Sequence, residues 1–377
     1  MGASPASLPF IIQLLRRTYI PGTLHPLRWT VVLAIAVPAV LTAAFLIFRL
    51  GGNHDLARTC LRGLRYIVAA EFALLVVFSL IGFGYERRSR AQEAKQFHPP
   101  GRLVDIGGYR LHLYCTGTGG PTVVLEHGHS ATYLDWFRLQ PQIAAFTRVC
   151  SYDRAGYGWS DRSPKDRVPS VMAEELHALL SAAGETPPYV LVGHSFGTMN
   201  AVMFAHKFPD EVAGVILVDG STPESLLRAS FRTRLGIRVI EFTMPFGLPR
   251  WRRWCGGGPK EVSAAKQALA CRSHYFETIL REDAAFPKAS REMQAIGSLG
   301  VMPLTIIARD PAKGRNSAAE AKHNQEQREI ALLSTNSRFV IAEGCGHDVP
   351  LARPDVVVSA VKDPITRRAQ AGSRETP

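Results

Sequence analysis

The chain has 377 residues and a formal net charge of +12, with 46% hydrophobic and 20% charged residues. The length holds one domain of about 250 to 280 residues plus an additional segment. Six scattered cysteines show no metal-knuckle spacing, and no nucleic-acid motif accompanies the basic surplus, so zinc modules and nucleic-acid readers are set aside.

The additional segment is at the N-terminus. Residues 29–48, WTVVLAIAVPAVLTAAFLIF, are uncharged between Arg28 and Arg49, and about 20 apolar residues let a helix cross a bilayer. Residues 66–85, YIVAAEFALLVVFSLIGFGY, form a second such stretch with one charge, Glu71. Together they predict two transmembrane helices, with Pro38 kinking the first and Glu71 snorkelling to the interface. A signal peptide is the competing reading of the first stretch, disfavoured by its length, its late start and the second stretch behind it.

Two spans put the N-terminal tail and the large C-terminal part on one side. Arg16, Arg17, Arg28, Arg87, Arg88, Arg90 and Lys95 flank the spans there, while Arg49, Arg58, Arg62 and Arg65 lie between them. By a small margin this favours a cytoplasmic C-terminal part. Residues 1–100 carry eleven basic and four acidic residues, as expected of span flanks meeting anionic headgroups. Residues 221–300 carry thirteen basic and seven acidic residues, which reads as a surface near membrane or anionic substrate, or as a solvated face. Cys255 and Cys271 are the pair suited to a local bridge, which would imply an oxidising compartment; buried or idle thiols are the reading adopted.

In chain order, residues 86–101 read as a helix end and linker closing on Pro99-Pro100-Gly101. Leu103 to Ile106 and Tyr109 to Cys115 flank Gly107-Gly108 as a hairpin. Thr122 to Glu126 is a buried strand opening into His127-Gly128-His129-Ser130. Leu134 to Phe146 has helical spacing, Arg148 to Tyr152 is a strand, and Val171 to Ala183 a helix. Tyr189 to Val192 is a strand entering Gly193-His194-Ser195-Phe196-Gly197, with small and apolar residues at helical spacing behind it. Val212 to Val218 is a strand ending at Asp219, Leu304 to Ala308 another ending near Asp310, and Arg338 to Ala342 the last before Gly344-Cys345-Gly346-His347. Helical patterns cover Ala319 to Leu333 and Pro354 to Lys362.

Strands alternating with helices predict an α/β fold with a mostly parallel sheet covered on both faces. In such sheets chemistry gathers beyond the C-terminal strand ends, where His129, Ser195, Asp219, Asp310 and His347 all fall. The domains expected are an anchor and linker over 1–100, a core over 101–220 and 301–365, a helical cap over 221–300 lying across the strand ends, and a disordered tail over 366–377.

A serine at the tip of a strand-turn-helix is lifted clear of the sheet, and Gly193 and Gly197 remove side chains that would collide where strand and helix approach. That places Ser195 as a nucleophile, against the plain alternative of a Gly-rich connection. Its hydroxyl needs a base and a carboxylate to orient that base. His347 is the candidate base, because its turn follows a strand late in the chain. Asp310 is the favoured acid and Asp219 the alternative; Asp348, adjacent to His347, points elsewhere. The oxyanion donors are the backbone N–H groups of His129 and Phe196.

With His127-Gly128, the segment Ser151 to Asp161 (SYDRAGYGWSD), the elbow Gly193 to Gly197 and Gly346-His347, the chain resembles the α/β-hydrolase superfamily from about Gly101 to Lys362. The resemblance implies an eight-stranded sheet with a helical cap, a Ser-Asp-His triad and no cofactor or metal. It also implies that Asp153-Arg154 to Asp161 is mainly a structural turn. Dehalogenases and epoxide hydrolases of this group carry an aspartate at the elbow, where this chain has Ser195. The family often has a glycine two or three residues before the acid, which Ala308-Arg309-Asp310 lacks.

The reading is a membrane-anchored serine hydrolase that cleaves carboxylic esters, less readily amides, through an acyl-enzyme. Its partners would be a small acyl substrate and the lipid bilayer, with no nucleic acid and no obligatory protein partner. The alternatives are an aminopeptidase or carbon–carbon bond hydrolase with the same triad, and a non-catalytic membrane receptor or scaffold on this fold.

Overall fold

The computed structural model describes residues 40–222, 231–314 and 317–372. Among the described residues two helices come first, α1 (Val40–Leu50) and α2 (His54–Gln96). The sheet then begins with the hairpin β1 (Arg102–Asp105) and β2 (Arg110–Thr116), whose turn residues Gly107 and Gly108 have φ of 104° and 108°. After β3 (Thr122–Glu126) the predicted helix over 134–146 is broken into a 3₁₀ turn, Tyr133–Trp136, and a short α3 (Gln140–Ala144). Pro141 accounts for the break, since it has no N–H for a continuous helix and fits only the first turn of a new one. The chain continues with β4 (Val149–Tyr152), α4 (Pro169–Ala182), β5 (Tyr189–His194), α5 (Gly197–Lys207) and β6 (Val212–Val218).

Among the described residues four α-helices follow before the sheet resumes: α6 (Phe231–Thr243), α7 (Leu248–Trp251), α8 (Lys260–Ala270) and α9 (Ser273–Gln294). Then come β7 (Leu304–Arg309), α10 (Ser317–Ala331), β8 (Ser337–Ala342), α11 (Val349–Ala352) and α12 (Pro354–Gly372). The eight strands lie in the order β1-β2-β4-β3-β5-β6-β7-β8. Pairings of β2 with β1 and β4 are antiparallel, and all others parallel. Every residue of β3 and β4 is buried, as strands covered on both faces require. One apolar layer gathers Leu176, Leu179, Val202, Phe204 and Leu217, and the other Trp136, Ile143, Val192, Val357 and Val361.

The described residues divide into two compact units, the larger containing Glu93–Phe242 and everything from Cys255 onward. Within it, α9 lies against the core: Phe286 and Ala289 pack with Met172, Phe196 and Met199. The smaller unit joins the helices up to Gln92 with Thr243–Trp254. The expected cap over 221–300 is therefore divided, with twelve of its residues packing against α2 instead; residues 223–230 lie outside the described part.

The structure bears on three expectations. The helix end and linker expected over 86–101 divide at Gln96, the last helical residue, because Glu, Arg, Gln and Lys residues extend the helix that far without interruption. The chain expected to be disordered from 366 stays helical to Gly372, with Pro364 inside the helix. Of the first apolar stretch, residues 29–39 lie outside the described part and Val40–Leu50 is helical. Among the described residues one helix, α2, is long and apolar enough to cross a membrane.

Candidate active site

The elbow at Ser195 follows from what its neighbours lack. A Cβ on Gly193 would lie 2.7 Å from the Gly197 carbonyl oxygen, and one on Gly197 would lie 2.6 Å from the oxygen of His127 and closer still to that of Glu126. Only glycine lets β3, β5 and α5 converge here. Ser195 itself has φ of 54°, a conformation costly for a residue with a Cβ. It is held by Ser195 N–H donating to Val218 O at 3.1 Å, while Ser195 O accepts from the Thr198 hydroxyl at 2.6 Å and Ser221 N–H at 3.0 Å.

Above the elbow, His347 Nε2 lies 3.0 Å from Ser195 Oγ and its Nδ1 lies 2.5 Å from Asp219 Oδ2. With Nδ1–H donated to the carboxylate, Nε2 carries a lone pair facing the hydroxyl. The ring is partly exposed, whereas Asp219 is fully buried. Asp219 Oδ1 takes His323 Nε2 at 2.8 Å and Arg309 N–H at 3.1 Å, and Oδ2 takes the Arg309 guanidinium at 3.2 Å. Burial alone would raise the Asp219 pKa, but hydrogen bonds and charge from His323 and His347 hold it far below the ordinary carboxylate range. Dehydration opposes protonation of His347, and the Asp219 hydrogen bond and charge outweigh it, raising the imidazole pKa.

The structure corrects the choice of acid. Asp310, favoured from sequence, directs Oδ1 to Ala312 N–H and Oδ2 to Gly344 N–H, each at 2.8 Å, and its own N–H to Cys345 O at 3.0 Å. It caps a turn and ties down the loop that carries His347. Asp219 follows β6, the direct neighbour of the nucleophile strand, while Asp310 follows β7, one strand further away. Helix α10 secures the loop after β6: besides His323, Gln327 bonds both the N–H and the carbonyl of Gly220, at 2.9 and 2.8 Å. Sequence reading missed His323, Arg309 and Gln327, because a carboxylate partner on a distant helix leaves no local pattern. It also missed His194, the residue before the nucleophile, whose Nε2 meets His347 O at 2.9 Å. Burial pushes the His194 pKa down to about 4, so its ring serves as a neutral donor to that carbonyl.

The expected oxyanion donors flank the hydroxyl. Phe196 is the N-cap of α5, and a Cβ on Gly128 would lie 3.2 Å from Ser195 Cβ, which places the Gly128-His129 peptide beside Ser195. Gly128 O accepts from Arg154 Nη2 and His127 Nδ1, both at 2.9 Å. In a trans peptide the C=O and N–H point in opposite directions. Pinning that carbonyl therefore turns the His129 N–H away from Arg154. Among the described residues neither the His129 nor the Phe196 amide is engaged in a hydrogen bond.

Arg154 is itself buried, held by Glu126 at 2.6 Å and by Glu282 of α9 at 3.3 Å, and Tyr157 donates to Glu282 at 2.8 Å. Burial pushes the Glu282 pKa up, but the charges of Arg154, His129 and Arg167 bring it below the usual value. The segment from Asp153 thus does more than form a turn. Asp153 does stabilise the turn, accepting from Tyr133 N–H at 2.9 Å, Trp159 N–H at 3.0 Å and His112 Nδ1 at 2.8 Å. Arg154 reaches from there to the carbonyls of His127 and Gly128.

Four cysteines are bonded, correcting the reading of idle thiols: Cys115 joins Cys150 across the paired strands β2 and β4, and Cys255 joins Cys271. Cys115, Cys150 and Glu185 are the residues among those described whose ligand atoms cluster as metal donors would, and the two sulfurs are engaged with each other.

Residues 121–301 match the family model described as alpha/beta hydrolase fold. The uncharacterized protein YbdG of Bacillus subtilis is 27% identical over 198 residues, which are 52% of this chain and 61% of YbdG, so the chain spans about three-fifths of that relative. A thermophilic esterase from Thermogutta terrifontis superposes with a TM-score of 0.52 at 22% identity, covering 71% of this chain and 98% of the esterase. The epoxide hydrolase CorEH gives a TM-score of 0.52 at 20% identity over 71% of this chain and 98% of its own. At these identities the superpositions speak for the fold. Together with the family-model match over residues 121–301, the strand order and the glycine-flanked elbow, they show that the chain has the α/β-hydrolase fold.

Proposed function

We propose that this protein is a membrane-anchored serine hydrolase that cleaves carboxylic esters of lipophilic acids through an acyl-enzyme. The observation that carries the reading is His347, which spans Ser195 Oγ and the buried Asp219 carboxylate. His347 Nε2 takes the Ser195 proton as Oγ bonds to the ester carbonyl carbon, and the His129 and Phe196 amides meet the oxygen as it becomes anionic. Imidazolium then gives that proton to the departing alkoxide as the C–O bond breaks. Water, deprotonated by the same ring, adds to the acyl carbon and releases the acid and Ser195. Asp219 stabilises the imidazolium in both halves. Asp310 is not assigned a step.

A hydroxyl nucleophile favours this over an epoxide-opening reading, which needs an elbow carboxylate. The exposed Phe72, Leu75 and Phe78 of α2 support an anchor, with the stretch at 29–48 as a candidate second span. Two disulfides in the larger unit favour an oxidising compartment for it, and they weigh more than the narrow arginine balance that pointed to the cytoplasm. Alkylation of the unreduced, denatured protein should then modify Cys60 and Cys345 alone. The catalytic reading is tested by labelling with a fluorophosphonate and by hydrolysis of a graded series of acyl esters. Wild type should label and turn over, and Ser195→Ala should do neither while melting at the same temperature. Turnover by Ser195→Ala would refute the nucleophile.

A further inference from the structure

The smaller unit contains a contact that the proposed hydrolase chemistry does not use. The helix α2 runs on past the apolar stretch that ends at Tyr85, and Glu86, in the next position, is buried. Its carboxylate takes the Arg250 guanidinium of α7 at 2.8 and 3.1 Å and Arg90 Nε at 2.7 Å. One turn earlier, a Cβ on Gly82 would clash with the backbone of Phe246, so the glycine lets the segment before α7 lie directly on the helix. Gly247, with φ of 67°, completes the approach: a Cβ there would meet Tyr85 at 2.8 Å. A buried ion pair is costly to break once formed, because either partner left alone is an unpaired charge. Thr243–Trp254 is thus fixed to α2 over Gly82–Glu86, the turn where the apolar run gives way to charge.

What this segment presents outward is specific. Trp251 is 65% exposed and Phe246 38% exposed, and Arg252 stacks between the rings of Trp251 and Trp254 at 5.7 and 5.9 Å, with exposed Arg253 beside it. On α2 the apolar surface continues without a break through Phe78 and Ile81 to Phe83. Aromatic rings with one wet edge and arginines that reach phosphates are what the boundary of a bilayer selects.

We propose that Thr243–Trp254 is a membrane-interface docking element: Trp251 and Phe246 enter the boundary between headgroups and acyl chains, and Arg252 and Arg253 meet anionic phospholipid headgroups. The proposal rests on the reading of α2 as an anchor. It adds that an insertion between α6 and α8, distant in sequence from any span, touches the same bilayer.

The test uses the full chain reconstituted in vesicles of phosphatidylcholine and phosphatidylglycerol, with the phosphatidylcholine brominated near the headgroup end of its chains. Flotation reports anchoring, turnover of a water-soluble short acyl ester reports the hydrolase, and tryptophan quenching reports docking. Wild type should float and be quenched. In a Trp29→Phe background, which removes the tryptophan at the head of the candidate second span, Trp251→Phe should lose most of the quenched component that Trp159→Phe retains, with soluble-ester turnover unchanged. Omitting phosphatidylglycerol should reduce the wild-type quenching, and an Arg252→Glu, Arg253→Glu double variant should no longer respond to it. If wild type floats and Trp251→Phe is quenched as strongly as wild type, the docking element is refuted while the anchor stands. Failure to float would remove both, whatever the soluble-ester assay gives.

Discussion

Asp219 and His323 lie 2.8 Å apart on the side of the carboxylate away from His347, so one buried acid holds two imidazoles at once. Desolvated and bonded on both oxygens, this acid cannot swing toward another partner. Its geometry makes the first prediction direct.

Asp219→Asn should lower kcat by about 10³- to 10⁴-fold, because an amide can stabilise neither the imidazolium nor the required tautomer. Asp310→Asn should lower kcat by less than about tenfold, since its effect reaches His347 only through the Gly344 loop. Steady-state kinetics on one soluble ester would compare them, and an Asp310→Asn loss matching that of Asp219→Asn would restore Asp310 as the acid.

The acid limb of activity should follow His347. The ring must be neutral to accept the Ser195 proton, and the neighbouring Asp219 charge raises its pKa above the ordinary 6.5. Hence kcat/KM should rise with pH through a midpoint above 6.5 and then level off. In Asp219→Asn the raising charge is gone and dehydration remains, so the midpoint should move to lower pH on the residual activity. An unmoved midpoint would assign the limb to another group.

Arg154→Lys tests the oxyanion peptide. An ammonium cannot fork to both carbonyls and both carboxylates as the guanidinium does. We expect kcat to fall by about 10²-fold with KM changed by less than about threefold, the pattern of a contact made in the transition state. A thermal melt recorded alongside separates this from unfolding; an equal fall through KM would leave Arg154 a packing role alone.

Gly197→Ala should destabilise the protein by roughly 3 kcal/mol, the upper range for overpacking, because the Cβ would meet two strand-end carbonyls that cannot retreat. Gly297→Ala, with open space around its Cβ, is the control and should stay within about 0.5 kcal/mol of wild type. Urea titration of both in parallel reads the difference.

The sheet was legible because its central strands are short apolar runs that end in chemistry-bearing residues, a pattern sequence displays directly. Ser195 and His347 were legible for the same reason: each follows a strand with glycines at fixed offsets, and those glycines answer steric needs seen in the elbow. The acid was harder. Asp219 and Asp310 both stand one residue past a parallel strand, and what separates them is strand order and the turn bonds that occupy Asp310. One clue lay in the sequence, where the glycine often found two or three residues before a family acid is missing ahead of Asp310, and the adjacent Arg309 binds Asp219. The division of the cap was invisible, since Arg250 and Glu86 are 164 residues apart and each looks solvated in its own neighbourhood.

Arg154 joins Glu126 on a core strand to Glu282 on a cap helix, so that cap is not an interchangeable module. A chimera that grafts another relative's cap onto this scaffold, without a carboxylate at position 282, would leave the buried Arg154 with Glu126 as its one carboxylate partner beside the Gly128-His129 peptide. Swapping substrate preference by domain exchange therefore has to carry that acidic side chain across with the graft.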